Sequence, residues 1–115
     1  MLEPTEIARL ATDAAAEKQA IDIALLDVRA SCSFADYFLI CSGDSDRQVK
    51  AIWEAILDEL RLRDLFPLHK EGTADSGWLL ADYGSVVIHI FAPEEREFYG
   101  LEQLWTDAVP VLRIQ

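Results

Sequence analysis

The stretch Gly77–Phe91, GWLLADYGSVVIHIF, reads as two strands joined by a tight turn at Tyr83-Gly84. With those two residues as the loop, Leu79 lies opposite Ile88 and Ala81 opposite Val86. Trp78 then lies opposite His89, and Leu80 opposite Val87. Directly opposed residues share a face. One face is therefore aliphatic: Leu79, Ala81, Val86, Ile88 and Ile90. The other is mixed: Trp78, Leu80, Asp82, Val87, His89 and Phe91. The aliphatic face belongs to a core. A face that combines an indole, an imidazole and a carboxylate suits contact with another macromolecule better than it suits catalysis.

Working outward, the 115 residues make one expected domain, 1–115, with enough apolar content (51%) to bury a core without staples. The formal charge is −11, from 21 acids against 10 bases. Such a chain repels phosphate at long range, which argues against nucleic-acid binding as its main activity and for a basic partner. Cys32 and Cys41 are too few for a disulfide scaffold and read as buried thiols. No apolar run is long enough for a membrane span. The acidic start MLEPTEIARL lacks the bases of a signal or transit peptide, so a cytoplasmic location is expected.

Pro4 and Glu6 suit the first turn of a helix running to about Lys18, with Ile7, Leu10, Ala11 and Ala14 on one side. Ile21–Val28 and Tyr37–Ser42 read as buried strands, joined by a polar connection at Arg29–Ser33. Asp44 or Ser45 caps the next helix, whose stripe is Val49, Ile52, Trp53, Ile56, Leu57 and Leu60. Leu68–Glu71 reads as a short strand before the loop Gly72–Gly77. After the hairpin, Pro93 opens a short helix to Tyr99, and Leu101, Leu104 and Trp105 make another amphipathic turn. The tail 109–115 has no clear pattern and stays unassigned. The order of elements predicts an α/β fold, a mixed sheet of about five strands with helices packed on one face.

Sites of chemistry are weak. The loop Ser42–Asp46 joins a strand to a helix, but Asp44 and Asp46 repel an anion there, and the P-loop and G-x-G-x-x-G patterns are absent. The D-x-D spacing of Asp44 and Asp46 could hold a divalent metal. Capping of helix N–H groups is the favoured reading, and no third ligand is evident. His69, His89, Cys32 and Cys41 match no compact zinc spacing. No metal, cofactor or catalytic residue is assigned. Among the aromatic residues, Phe98 and Trp105 read equally well as core, whereas Trp78 is set apart by its place opposite His89.

ADYFLICSGDSDRQVKAI (Ala35–Ile52) and EGTADSGWLLADYGSVVIHIFAPEEREFYGLEQLW (Glu71–Trp105) together resemble the ribosomal silencing factors, also called the Iojap family. The match runs from about Ile7 to Asp107 through several separate motifs in order. The resemblance implies a fold related to the nucleotidyltransferases without their catalytic motif. Gly43 is followed by Asp44 rather than Ser, and Trp78–Asp82 carries a single acid. It implies a non-enzymatic translation repressor of the cytoplasm. Such a factor binds the basic large-subunit ribosomal protein L-fourteen and blocks joining of the large and small ribosomal subunits. The alternatives are a late large-subunit assembly factor and a divergent metal-dependent nucleotidyltransferase using Asp44 and Asp46. The expected partner-binding residues are Trp78, Leu80, Asp82, Tyr83, His89, Phe91, Tyr99 and Trp105, with no direct nucleic-acid specificity. A homodimer that covers the same face is a further expectation.

Overall fold

The computed structural model of the protein describes residues 2–30, 32–100 and 109–114. In chain order it contains α1 (Pro4–Glu17), β1 (Ile21–Asp27), β2 (Tyr37–Ser42), α2 (Asp46–Arg61) and β3 (His69–Thr73). A 3-10 turn (Ala74–Ser76) leads to β4 (Trp78–Asp82), β5 (Val86–Phe91), α3 (Pro93–Tyr99) and β6 (Val109–Ile114). The strands form one six-stranded sheet in the order β3-β4-β5-β2-β1-β6. Among the described residues only β2 and β5 run parallel, and α2 lies on the crossover between them. Antiparallel neighbours need only short turns, whereas parallel ones need a crossover of this kind.

The helices form where the sequence caps them. The Ser45 hydroxyl accepts from the Gln48 N–H at 3.1 Å and opens α2, and Arg61 sits in the last turn. Val49, Ile52, Ile56 and Leu60 face inward. Ala8, Ala11 and Ala15 are wholly buried on α1, and their small side chains let α1 and α2 pack side by side on the sheet. Beneath them lie Ile23, Leu25, Leu39, Cys41, Leu79, Ala81, Val86, Ile88 and Ile90. A second core lies on the other face: Leu26, Val28, Cys32, Ala35, Phe38, Ile40, Val87 and Phe91. Several of these residues, Val28, Cys32 and Ala35, come from the connection between β1 and β2, so a loop covers this side where helices cover the first.

Two sequence expectations are corrected. The sheet has six strands, because the unassigned tail 109–115 supplies β6 at its edge. Pro110 removes a donor there, which an edge strand tolerates. Arg113 fixes the strand by a paired contact, at 3.0 and 2.9 Å, to the Asp22 carboxylate on β1. The hairpin register also differs. Trp78 pairs with Phe91, Leu80 with His89 and Ala81 with Ile88. The Tyr83 N–H donates to the Val86 carbonyl at 2.9 Å, so the two-residue turn is Gly84-Ser85. Gly84 has φ of 88°, and its N–H donates to Asp82 Oδ1 at 2.7 Å. Left-handed backbone at the first turn position is what glycine tolerates. The pairing has slipped by two residues, an even number, so each side chain keeps its face.

Candidate protein-binding face

Strands β4 and β5 present the mixed face unequally. On β5 every residue is buried, with His89 at 5% and Phe91 at 1% exposure. On β4 the residues of this face, Trp78, Leu80 and Asp82, are half-exposed. The cause is the neighbours. Strand β5 lies beside β2, whose Phe38 and Ile40 share its cover. Strand β4 lies beside β3, which is exposed along its length.

Trp78 joins the buried and the exposed members of a group of rings. Its indole stacks on Phe91 at 5.9 Å between centroids, 7° from parallel, and on His89 at 6.2 Å. Tyr99 of α3 tilts against it at 5.0 Å. Phe98 meets Tyr99 edge-on at 5.2 Å and is 82% exposed. Phe38 meets His89 edge-on at 5.4 Å, and Phe34, 64% exposed, lies 6.2 Å from Phe38. Buried rings thus hold exposed ones in place, and a rigid aromatic surface loses little conformational freedom on binding.

His89 belongs to the support. The Trp78 indole N–H donates to its Nδ1 at 3.4 Å. Burial pushes its pKa down to about 4, so the imidazole is neutral near pH 7, with its proton on Nε2. Acidic groups surround the rings. Glu71, on the same side of β3, lies 3.0 Å from His69 Nε2. The half-buried Glu95 carboxylate lies against Gly77, where an added Cβ would come within 2.4 Å of its Oε1.

Of the expected binding residues, the structure therefore brings Trp78, Leu80, Asp82 and Tyr99 to the surface and places His89 and Phe91 beneath. Tyr83 projects to the helix side of the sheet, against the first core. Burial there pushes its phenol up to about 12. Alternation along β4 explains this, because Tyr83 follows Leu79 and Ala81. Trp105 and the expected turn around it lie outside the described residues. Phe34 was missed. It is a large aromatic immediately after a polar connection, and that contrast was its only signal. For Phe98 the sequence supports core and surface equally, because α3 is too short to establish a helical stripe.

Other chemistry is thin. Among the described residues no group of three His, Cys, Asp or Glu could hold a metal ion. Cys32 and Cys41 are buried free thiols, and burial pushes Cys41 up to about 12, which removes it as a nucleophile. The Asp44 N–H donates to Gln48 Oε1 at 2.7 Å, tying this loop to the helix start. No helix among the described residues is long and apolar enough to cross a membrane.

The family model for ribosomal silencing factor during starvation matches residues 2–115. The ribosomal silencing factor RsfS of Bacillus subtilis is 43% identical over 102 residues, covering 89% of this chain and 86% of that protein. The mouse protein named mitochondrial assembly of ribosomal large subunit protein 1 is 38% identical over 93 residues, covering 78% of this chain and 41% of its own. A crystal structure of a Chromobacterium violaceum protein superposes with a TM-score of 0.87 at 33% identity, covering 91% of this chain and 88% of that one. The chain belongs to the ribosomal silencing factor family.

Proposed function

We propose that the protein represses translation in the cytoplasm by sitting on ribosomal protein L-fourteen of the large subunit, where it excludes the small subunit. No bond is made or broken. The observation that carries this reading is the Trp78 ring system: a half-exposed indole fixed from below by Phe91 and His89 and flanked by Tyr99 of α3. Rigid aromatics with a polar edge are common anchors of protein interfaces. Trp78, Leu80 and Tyr99 supply the apolar contact. Asp82 and Glu95 lie where they can pair with Lys or Arg of the partner, and the −11 charge steers the approach. His89 and Phe91 act through Trp78 rather than by touching the partner.

The name of the mouse relative favours a second reading, a role in late assembly of the large subunit. Both readings use the same docked state and differ in when it forms. In the free protein, a second copy covers the same face, so dimer and ribosome complex exclude each other. The test mixes purified subunits with increasing factor and follows joining by light scattering and gradient sedimentation. The factor is expected to co-migrate with free large subunits and to lower the joined fraction in proportion to its occupancy. Normal joining with the large subunit saturated by factor would sink the proposal.

A further inference from the structure

Helix α3 carries Tyr99 to the ring face, yet little of its own sequence holds it there. None of its seven residues is buried, and no side chain caps its start. A helix of so few turns does not stand by itself in water. Its tether to the sheet is Arg96, whose side chain is 11% exposed. The Arg96 Nη1 donates to the Asp22 carbonyl at 2.6 Å and to the Ser42 hydroxyl at 3.1 Å, with the Ile21 carbonyl at 3.5 Å. Its Nη2 lies 3.7 Å from the Asp22 carboxylate.

The start of β1 is shaped to receive this group. Between the pairs Ile21–Ser42 and Ala24–Ile40, two residues of β1, Asp22 and Ile23, stand where β2 has one, Cys41. Such a bulge takes backbone groups out of the ladder. Asp22 has φ of 51°. Gln19 and Asp64 share that sign of φ, but each follows a helix end, where left-handed backbone is ordinary. Asp22 stands inside a strand, and its carbonyl finds its donor in Arg96 of α3. Its carboxylate also takes the paired contact from Arg113. One strained residue thus holds both α3 and β6 to β1.

We infer that Arg96 is a positioning residue of the docking face: seated at the β1 bulge, it fixes α3 so that Tyr99 lies against Trp78. The inference rests on the proposed docking through Trp78. Arg96 and Tyr99 are three positions apart, so they are neighbours along α3. One is anchored at the start of β1 and the end of β2, the other on Trp78 at 5.0 Å and Phe91 at 5.9 Å. Two anchors fix the place and roll of so short a helix, whereas one would leave it free to swing. The fork of guanidinium donors meets several acceptors at once, which an ammonium does less well. With α3 set beforehand, Tyr99 need not be ordered at the moment of binding. Arg96 acts through Tyr99, since its own side chain is too deeply placed to be a contact.

Arg96→Met and Arg96→Lys in the full chain test this beside Tyr99→Ala. Arg96→Met keeps the stem and removes the donors. It should bind purified large subunits roughly fivefold more weakly, the cost of ordering one or two side chains on binding. Arg96→Met combined with Tyr99→Ala should bind no more weakly than Tyr99→Ala alone, because residues that act as one unit are not additive. Arg96→Lys should recover part of the loss. The Arg96 and Gly100 amides donate to the Ala92 and Arg96 carbonyls. In free Arg96→Met they should exchange with deuterium faster, while the amides of β4 and β5 keep their rates, which also verifies folding. Arg96→Lys carries the same comparisons if Arg96→Met does not fold. Additive losses, or wild-type binding by the folded variants, would overturn the inference. So would unchanged exchange in α3, which would mean that other contacts hold the helix. Full binding by Trp78→Ala would overturn the docking reading and this inference with it. Weak binding by Trp78→Ala beside full binding by Arg96→Met would overturn the inference alone.

Discussion

The two faces of the sheet are built from the same strands by the same alternation, yet one is closed and the other is open. On the closed face, Ala81, Ile88 and Ile90 lie under α1 and α2 and are almost completely buried. On the open face, Phe91 and Val87 are as well buried, but by neighbouring rings, Tyr99 of the short α3 among them, and by residues of the connection between β1 and β2. Trp78 and Leu80 stay half-exposed. Alternation decides which side a residue takes. A covering element decides whether that side becomes core or contact surface.

The largest expected effect lies on the closed face. Ile88→Ala should cost about 2–5 kcal/mol of unfolding free energy, since helices on one side and strands on the other leave the site little freedom to collapse. Leu80→Ala on the open face should cost less, about 1 kcal/mol, because the side chain is only partly removed from water. Chemical denaturation of both variants measures the gap, and equal losses would mean that the two faces are equally closed.

The next effect concerns the support of the open face. The pKa of His89 is about 4 in the folded chain against 6.5 for a free histidine, because burial penalises its charged form. Below pH 6.5 the unfolded chain takes up a proton that the folded chain does not, so protonation favours unfolding. The contribution is complete above pH 6.5 and is lost as pH falls towards 4, amounting to roughly 3 kcal/mol. Carboxylates titrate in the same range, so the measurement is the difference between wild type and His89→Leu across that window. Parallel stability curves for the two proteins would place His89 in water rather than beneath Trp78.

This contrast was only partly legible in the sequence. Alternation in WLLAD and VVIHIF assigned every side chain of the hairpin to its observed face, even with the register off by two. It placed Tyr83 at the tip without giving its direction. The stripe on α2 and the Ser45 cap were readable because a helix repeats its signal over several turns. Burial of His89 and Phe91 was not readable, since it depends on Phe38 and on a loop whose course no periodicity reports. Strand β6 was hidden for a related reason. It is exposed throughout and anchored by Arg113 to Asp22, a contact between residues far apart in the chain.

On the open face, the ring group predicts a separation of binding from stability. Trp78→Ala should weaken binding to large subunits by about 2 kcal/mol, close to thirtyfold, as loss of a central aromatic anchor does. It removes stacking on Phe91 and His89, so part of its effect is also a loss of stability. Unchanged co-sedimentation of a folded Trp78→Ala protein would count against this face as the contact.

The smallest expected effect is the cleanest, because it falls at the edge of the same ring group. Phe98 is 82% exposed and, among the described residues, its one ring contact is the edge-on one with Tyr99. Phe98→Ser should change unfolding free energy by no more than about 0.5 kcal/mol. If the open face is a docking surface, the same change should weaken subunit binding by about 1 kcal/mol, less than Trp78→Ala, because peripheral contacts mainly keep water from the central ones. A stability loss without a binding loss would make Phe98 a packing residue and shrink the face to Trp78, Leu80 and Tyr99. A binding loss with stability intact would extend the surface along α3 beyond Tyr99, since a side chain that contributes nothing to the fold can weaken docking only by touching the partner.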